Sequence, residues 1–216
     1  MKPIATYVFF DLGTTGLRDP KIRELHMIAV RCEDLRKYFR EGEEHFLAKP
    51  PAQKLHCRIV SDLLFFINQK WYGYEENSLK EETARFLEDL EKPVCLIAHN
   101  GNKFDFPLLK EELADIEIES KYIVCADSMH AFYDIFEPDS DKTTYRQRRE
   151  GSFPWPEYHF DKMSYRLEDV YKRVFGFKHM FENAKDRNIA LAKIALNQGF
   201  EFMLWVAENY RPLSSF

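Results

Sequence analysis

Apolar residues dominate residues 5–12 and are dense again over 22–32. Dense runs of that length, rich in β-branched and aromatic side chains, predict strands buried on both faces. Gly13, Thr14, Thr15 and Gly16 end the first run as a turn. Residues 43–49 predict a third strand, so the chain opens as an antiparallel meander. From Leu79 the spacing changes: Leu79, Thr83, Phe86, Leu87 and Leu90 share one helical face with charges opposite, and Pro93 closes that helix. Residues 94–99 then predict a strand, 106–116 a helix with Pro107 in its first turn, 121–127 a strand and 128–136 a helix. Strand, helix, strand, helix is the signal for parallel strands in an α/β domain.

Between residues 137 and 163 the periodicity fails. That stretch holds three prolines, a basic cluster and several aromatics, and it predicts a long surface loop. The last third is helical again: residues 164–176 with Ser164 as N-cap and Gly176 at the end, 183–199 ending at Gly199, and a final helix to about residue 210. The whole pattern predicts one α/β domain over 1–216, with a mixed five-stranded sheet flanked by helices.

Composition narrows the class without changing that architecture. Hydrophobic residues make up 45%, aromatics 15% and charged residues 31% of the 216, which suits a folded domain and not a disordered chain. The first apolar run is too short for a signal-peptide core, and no segment approaches 18 uninterrupted apolar residues, so an intracellular protein without membrane partners is expected. Cys32, Cys57, Cys95 and Cys125 lie far apart with no C-x-x-C pair, which predicts reduced thiols and no zinc site. The net charge of −5 offers no global attraction to nucleic acid. Any such binding must rest on a local basic face.

Three stretches carry a family resemblance. "FFDLGTTGL", residues 9–17, is similar to the D-x-E-T-T-G-L motif of the DEDDh 3′→5′ exonucleases, with Gly13 where that motif has glutamate. "CLIAHNGNKFDFPLL", residues 95–109, resembles the second motif of the TREX-type branch, whose aspartate corresponds to Asp105. "CADSMHAF" and "YRLEDVYKRVFG" resemble the segments that follow there. The resemblance spans nearly the whole chain, weakest over 32–77 and 137–163. It implies an RNase H-like fold. The third motif, H-x-A-x-x-D, falls in register on "ENAKDR": Ala184 matches, Glu182 stands at the histidine and Arg187 at the aspartate.

The chemistry implied by the resemblance uses two divalent metals to activate a water and stabilise the leaving oxygen in phosphodiester cleavage. Oxygen ligands of this kind suit magnesium or manganese. Asp11 and Asp105 alone remain at ligand positions, and Arg187 adds a cation where a metal needs an anion. Two-metal binding is expected to fail, with Arg187 substituting for the metals between the carboxylates. Glu182 cannot simply assume the histidine's work, since an exposed carboxylate makes a weak base at neutral pH. Asp186 is the one residue that would restore a ligand, if its helix were rotated.

Thr14, Thr15, Gly16 and Leu17 correspond to the family's contact with the terminal nucleotide, and read equally well as an ordinary loop. His99 and Asn100 are expected to order the loop before Asp105, and His179 to lie at the surface. Phe104 either stacks on a base or packs. Lys142, Arg146, Arg148 and Arg149, interleaved with Tyr145, Phe153 and Trp155, form the local basic face that grips single strands or is simply solvated. Residues 63–74 serve as core or as a partner surface. The resemblance also implies a homodimer. The leading expectation is an impaired exonuclease homologue retaining nucleic-acid or protein binding, needing no cofactor. The rivals are an active magnesium-dependent 3′→5′ DNA exonuclease with an altered ligand set, and a protein scaffold.

Overall fold

The structure is a computed structural model that describes residues 3–16, 18–46, 65–70, 76–116, 118–137, 144–151 and 164–216. Its strands are β1 (Thr6–Thr14), β2 (Ile22–Arg31), β3 (Phe65–Lys70), β4 (Val94–Ala98), β5 (Ile123–Asp127) and the two-residue β6 (Arg211–Pro212). Its α-helices are α1 (Cys32–Phe46), α2 (Glu76–Asp89), α3 (Asp105–Glu112), α4 (Ser128–Phe136), α5 (Tyr145–Glu150), α6 (Leu167–Phe175), α7 (Ala184–Gln198) and α8 (Phe200–Asn209). The sheet order is β3-β2-β1-β4-β5-β6. β1, β2 and β3 pair antiparallel, whereas β4 and β5 run parallel to β1. The expected mixed sheet of five strands is therefore present, with β6 added antiparallel at the β5 edge.

The strands are apolar on both faces because both faces are covered. Tyr7, Phe9, Ile28, Val30, Cys95, Ile97, Val124 and Ala126 point into a core closed by α1, α4, α6, α7 and α8. Their alternating neighbours Val8, Phe10, Leu25, Met27, Val94, Leu96, Ile123 and Cys125 meet α2 and α3. Burying a side chain as large as Phe9, Phe10 or Phe106 contributes about 1.5–3 kcal/mol. That two-sided packing fixes the ends of β1, β4 and β5 side by side. Among the described residues, no single helix is long and apolar enough to cross a membrane.

Three expectations about elements need correction. Residues 43–46 close α1 and form no strand. The helix wins because Leu35 and Phe39, one turn apart, bury a shared face against the core. The third strand is instead β3, whose register with β2 runs from Glu24↔Lys70 to Ala29↔Phe65. The segment expected as a continuous loop over 137–163 contains α5, started by a capping box between Thr144 and Gln147. Ser164 lies outside α6, which begins at Leu167, while Gly176 closes that helix with a left-handed φ of 82° as the sequence predicts.

Candidate active site

β1 delivers Asp11 to the rim of the sheet, and α7 crosses behind it. Arg187, in the first turn of α7, donates from Nε (2.9 Å) and Nη2 (2.6 Å) to the same Asp11 Oδ2, and from Nη2 to the Leu12 carbonyl at 3.2 Å. Three donations onto one strand end lock helix to strand. The next residue deepens the lock: buried Asn188 donates to the carbonyls of Phe9 (3.0 Å) and His26 (2.9 Å) and to His26 Nδ1 (2.9 Å). Burial pushes the Asp11 pKa up to about 6, against the lowering pull of Arg187. Burial likewise lowers His26 to about 4, so this histidine is neutral.

Gly13 faces Glu24 across the β1–β2 pair. A Cβ at position 13 would lie 3.0 Å from Glu24 Cβ, tighter than ordinary contact, so a side chain there requires Glu24 to shift. Glu24 itself reaches α7, where Oε2 accepts the Ala184 N–H at 3.1 Å. It thereby satisfies one of the open amides at a helix start and adds a third carboxylate to the field around Asp11 and Arg187. Sequence reasoning missed Glu24, because its role exists only through the pairing of β2 with β1 and α7.

The second half of the cleft is the loop from β4 to α3. Asp105 opens α3 and is buried, and its pKa is raised well above the ordinary range by burial, with the charges of Asp11 and Asp127 adding to the effect. Asp127, fully buried at the end of β5, orders this loop. Its carboxylate accepts the N–H groups of Asn100 (3.0 Å), Asn102 (3.1 Å) and Met129 (3.0 Å). Burial raises its pKa to about 6 in spite of those bonds. Asn100 takes a left-handed φ of 63°, which asparagine tolerates. His99 is held by Ser128 Oγ at 3.0 Å and the Tyr165 carbonyl at 2.8 Å. Burial lowers its pKa to about 4, so the neutral ring donates from Nε2 to the carbonyl and accepts from Ser128 at Nδ1.

The other expected site residues fall in different places. Glu182 is exposed just before α7. Asp186 serves the start of its own helix: Asn183 Oδ1 accepts its N–H at 2.9 Å, and its carboxylate accepts the Glu182 N–H at 3.3 Å. His179 packs on the rings of Tyr171 and Phe181. Thr14, Thr15 and Gly16 form a turn at the rim, closed by Thr15 N–H to the Lys21 carbonyl (3.0 Å) and Lys21 N–H to Thr15 Oγ1 (3.1 Å). Phe104 is half-buried beside Asp105. Arg146 is exposed and Arg149 lies over the Tyr145 ring, 5.7 Å from its centroid. Arg148 contradicts a place on a solvent-facing basic loop. It is 4% exposed and donates to Asp134 at 2.5 Å, so its charge is spent inside the protein. Leu17, Lys142, Phe153 and Trp155 lie outside the described residues.

A magnesium or manganese pair needs several anionic oxygens turned toward common points. Here Asp11 Oδ2 already takes two guanidinium bonds, and position 13 has no side chain. Among the described residues no three His, Cys, Asp or Glu side chains gather as a metal-holding group. A divalent ion ~4 Å from the guanidinium would meet a repulsion of about 8 kcal/mol at an effective dielectric of ~20. The donor set does not fit a two-metal centre while Arg187 is in place.

The architecture that carries this cleft is that of RNase H-like exonucleases. Unliganded exonuclease I superposes with a TM-score of 0.56 at 12% identity, over 94% of this chain and 44% of that one. Product-bound exonuclease I gives 0.53 at 13%, over 94% and 46%. The chain thus spans less than half the length of those structures. No protein-family model matches. The chain is 26% identical to three-prime repair exonuclease 1 of Bos taurus over 99% of this chain and 70% of that protein. It is also 26% identical to three prime repair exonuclease 2 of Mus musculus, over 95% and 89%. In sequence the chain is thus similar to TREX-type 3′→5′ exonucleases, and in fold to exonuclease I.

Proposed function

We propose that this protein is a catalytically impaired TREX-like exonuclease homologue, a pseudo-exonuclease that keeps the nucleic-acid cleft of its relatives without their two-metal chemistry. The observation that carries this reading is the Arg187–Asp11 pair, in which two guanidinium N–H groups converge on one carboxylate oxygen and place a fixed cation where a metal would need an anion. Gly13 and Glu182 support it from independent positions, since a ligand and the general base of the family motif are both replaced. The ordered His99–Asp105 loop and the Thr14–Gly16 turn support retained binding of a strand end. Both keep the family's residues, and the turn lies exposed at the rim.

Digestion of 3′-labelled single-stranded DNA with magnesium or manganese tests the reading. The parent is expected to release no nucleotide, whereas a variant carrying Gly13→Glu, Glu182→His and Arg187→Asp is expected to cleave. Metal-dependent cleavage by the parent that Asp11→Asn abolishes would overturn impairment and make the protein an enzyme with an altered ligand set. Binding is read separately, as a single-strand affinity that falls with salt in the manner of phosphate contacts. Absence of any such affinity would leave a protein-interaction role.

A further inference from the structure

The helix α5 lies where the family resemblance is weakest, and its packing leads back to the cleft. Arg148 joins it to α4 through Asp134 at 2.5 Å, and the same carboxylate oxygen accepts the Trp205 indole N–H of α8 at 2.8 Å. The Arg148 guanidinium also covers the Tyr133 ring at 5.0 Å. One turn earlier, Tyr145 stands edge-on to Trp205 and to His130, with centroids 5.1 Å away in each case. Its hydroxyl accepts Asn102 Nδ2 at 3.2 Å. Asn102 belongs to the loop that presents Asp105, and its own backbone N–H is bound by Asp127. A continuous series of contacts therefore runs from α8 and α4 through α5 to that loop.

We propose that Tyr145 and Arg148 are positioning residues of the candidate site: α5, pinned on Asp134 by Arg148, holds the Asp105 loop in place through the Tyr145–Asn102 hydrogen bond. The physical reason lies in the local geometry. The loop takes a left-handed residue at Asn100 and its backbone amides depend on one buried carboxylate, so a second anchor on the Asn102 side chain limits how far it opens. The inference is independent of whether nucleic acid binds. It assigns Arg148 a structural task that a phosphate-contacting arginine would not have.

Residue-resolved hydrogen exchange on the full chain tests it without any ligand. In Tyr145→Phe, which keeps the ring and loses the hydroxyl, exchange at the Asn100 and Asn102 amides is expected to rise about fivefold, the scale of one lost neutral hydrogen bond. Exchange within β4 should stay at the parent rate. Arg148→Leu should raise exchange at the same two amides, and Arg148→Lys, which keeps a cation on Asp134, should restore most of the protection. Unchanged exchange at Asn100 and Asn102 in Tyr145→Phe would overturn the proposal, as would a rise spread evenly over β4 and β5. Tyr145→Phe decides the matter alone if Arg148→Leu fails to fold.

Discussion

The two halves of the cleft hold an aspartate by opposite means. On the β1–α7 side, Asp11 sits on a guanidinium, and the helix is tied down by Arg187, Asn188 and Glu24. On the β4–β5 side, no such cation touches Asp105 among the described residues, and order comes from the backbone amides gathered on Asp127. The first half sets a guanidinium directly on its carboxylate. The second is held by backbone amides gathered on one buried carboxylate. The comparison teaches that two buried carboxylates of one site can be ordered by different means, one by an internal cation and the other by a loop whose amides converge on a neighbouring carboxylate.

The largest expected effect comes from removing the scaffold of the second half. Asp127→Ala strips the acceptor from three backbone amides, those of Asn100, Asn102 and Met129, and should lower unfolding free energy by about 3 kcal/mol, at roughly 1 kcal/mol per bond. Urea denaturation measures it. A loss below about 1 kcal/mol would mean that the loop finds other partners and that the two halves are less different than described.

Next in size is Arg187→Met, expected to cost about 2 kcal/mol at pH 8 as a broken, partly buried ion pair. The pH dependence gives it a sign. The native pKa of Asp11, near 6, lies above its unfolded value of 3.8, so ionisation of Asp11 costs native stability, and the native state gains as pH falls from 6 toward 3.8. Without Arg187 the native pKa rises further, because its lowering pull is gone. The deficit of the variant should therefore be greatest at pH 8 and shrink at pH 5, where Asp11 is protonated in both proteins. Equal deficits at the two pH values would show that Arg187 contributes packing and not charge.

The smallest effect is Asp186→Ala, which removes one capping interaction and should cost about 0.5–1 kcal/mol. It should leave single-strand cleavage, if any is found, unchanged. Loss of cleavage in that variant would place Asp186 at a metal and break the account of the first half.

Much of this was legible in the residues. The apolar runs at 5–12, 22–32, 94–99 and 121–127 became β1, β2, β4 and β5, because a strand covered on both faces leaves a dense apolar signature. Residues 43–49 misled because a short amphipathic helix end and a short strand share composition, and only the burial of Leu35 and Phe39 on one face separates them. The helix α5 carried its own signal, the capping box from Thr144 to Gln147, which the basic character of the segment obscured. Arg148 was drawn to the surface by that same basic character, since nothing local marks Asp134 as its partner.

What the sequence carried by itself is the order of the motif-like stretches, which brings Asp11, Gly13, Asp105, Glu182 and Arg187 forward as candidates. Only the tertiary structure decided which charges meet. Arg187 and Asp11 are 176 positions apart, and Ala184 and Glu24 are 160 apart. Contacts at such separations are set by how α7 crosses the sheet, a consequence of total packing that no local spacing encodes. The burial that accompanies them is equally non-local. It raises the pKa of Asp11 and Asp105 and brings a single guanidinium onto the first of them.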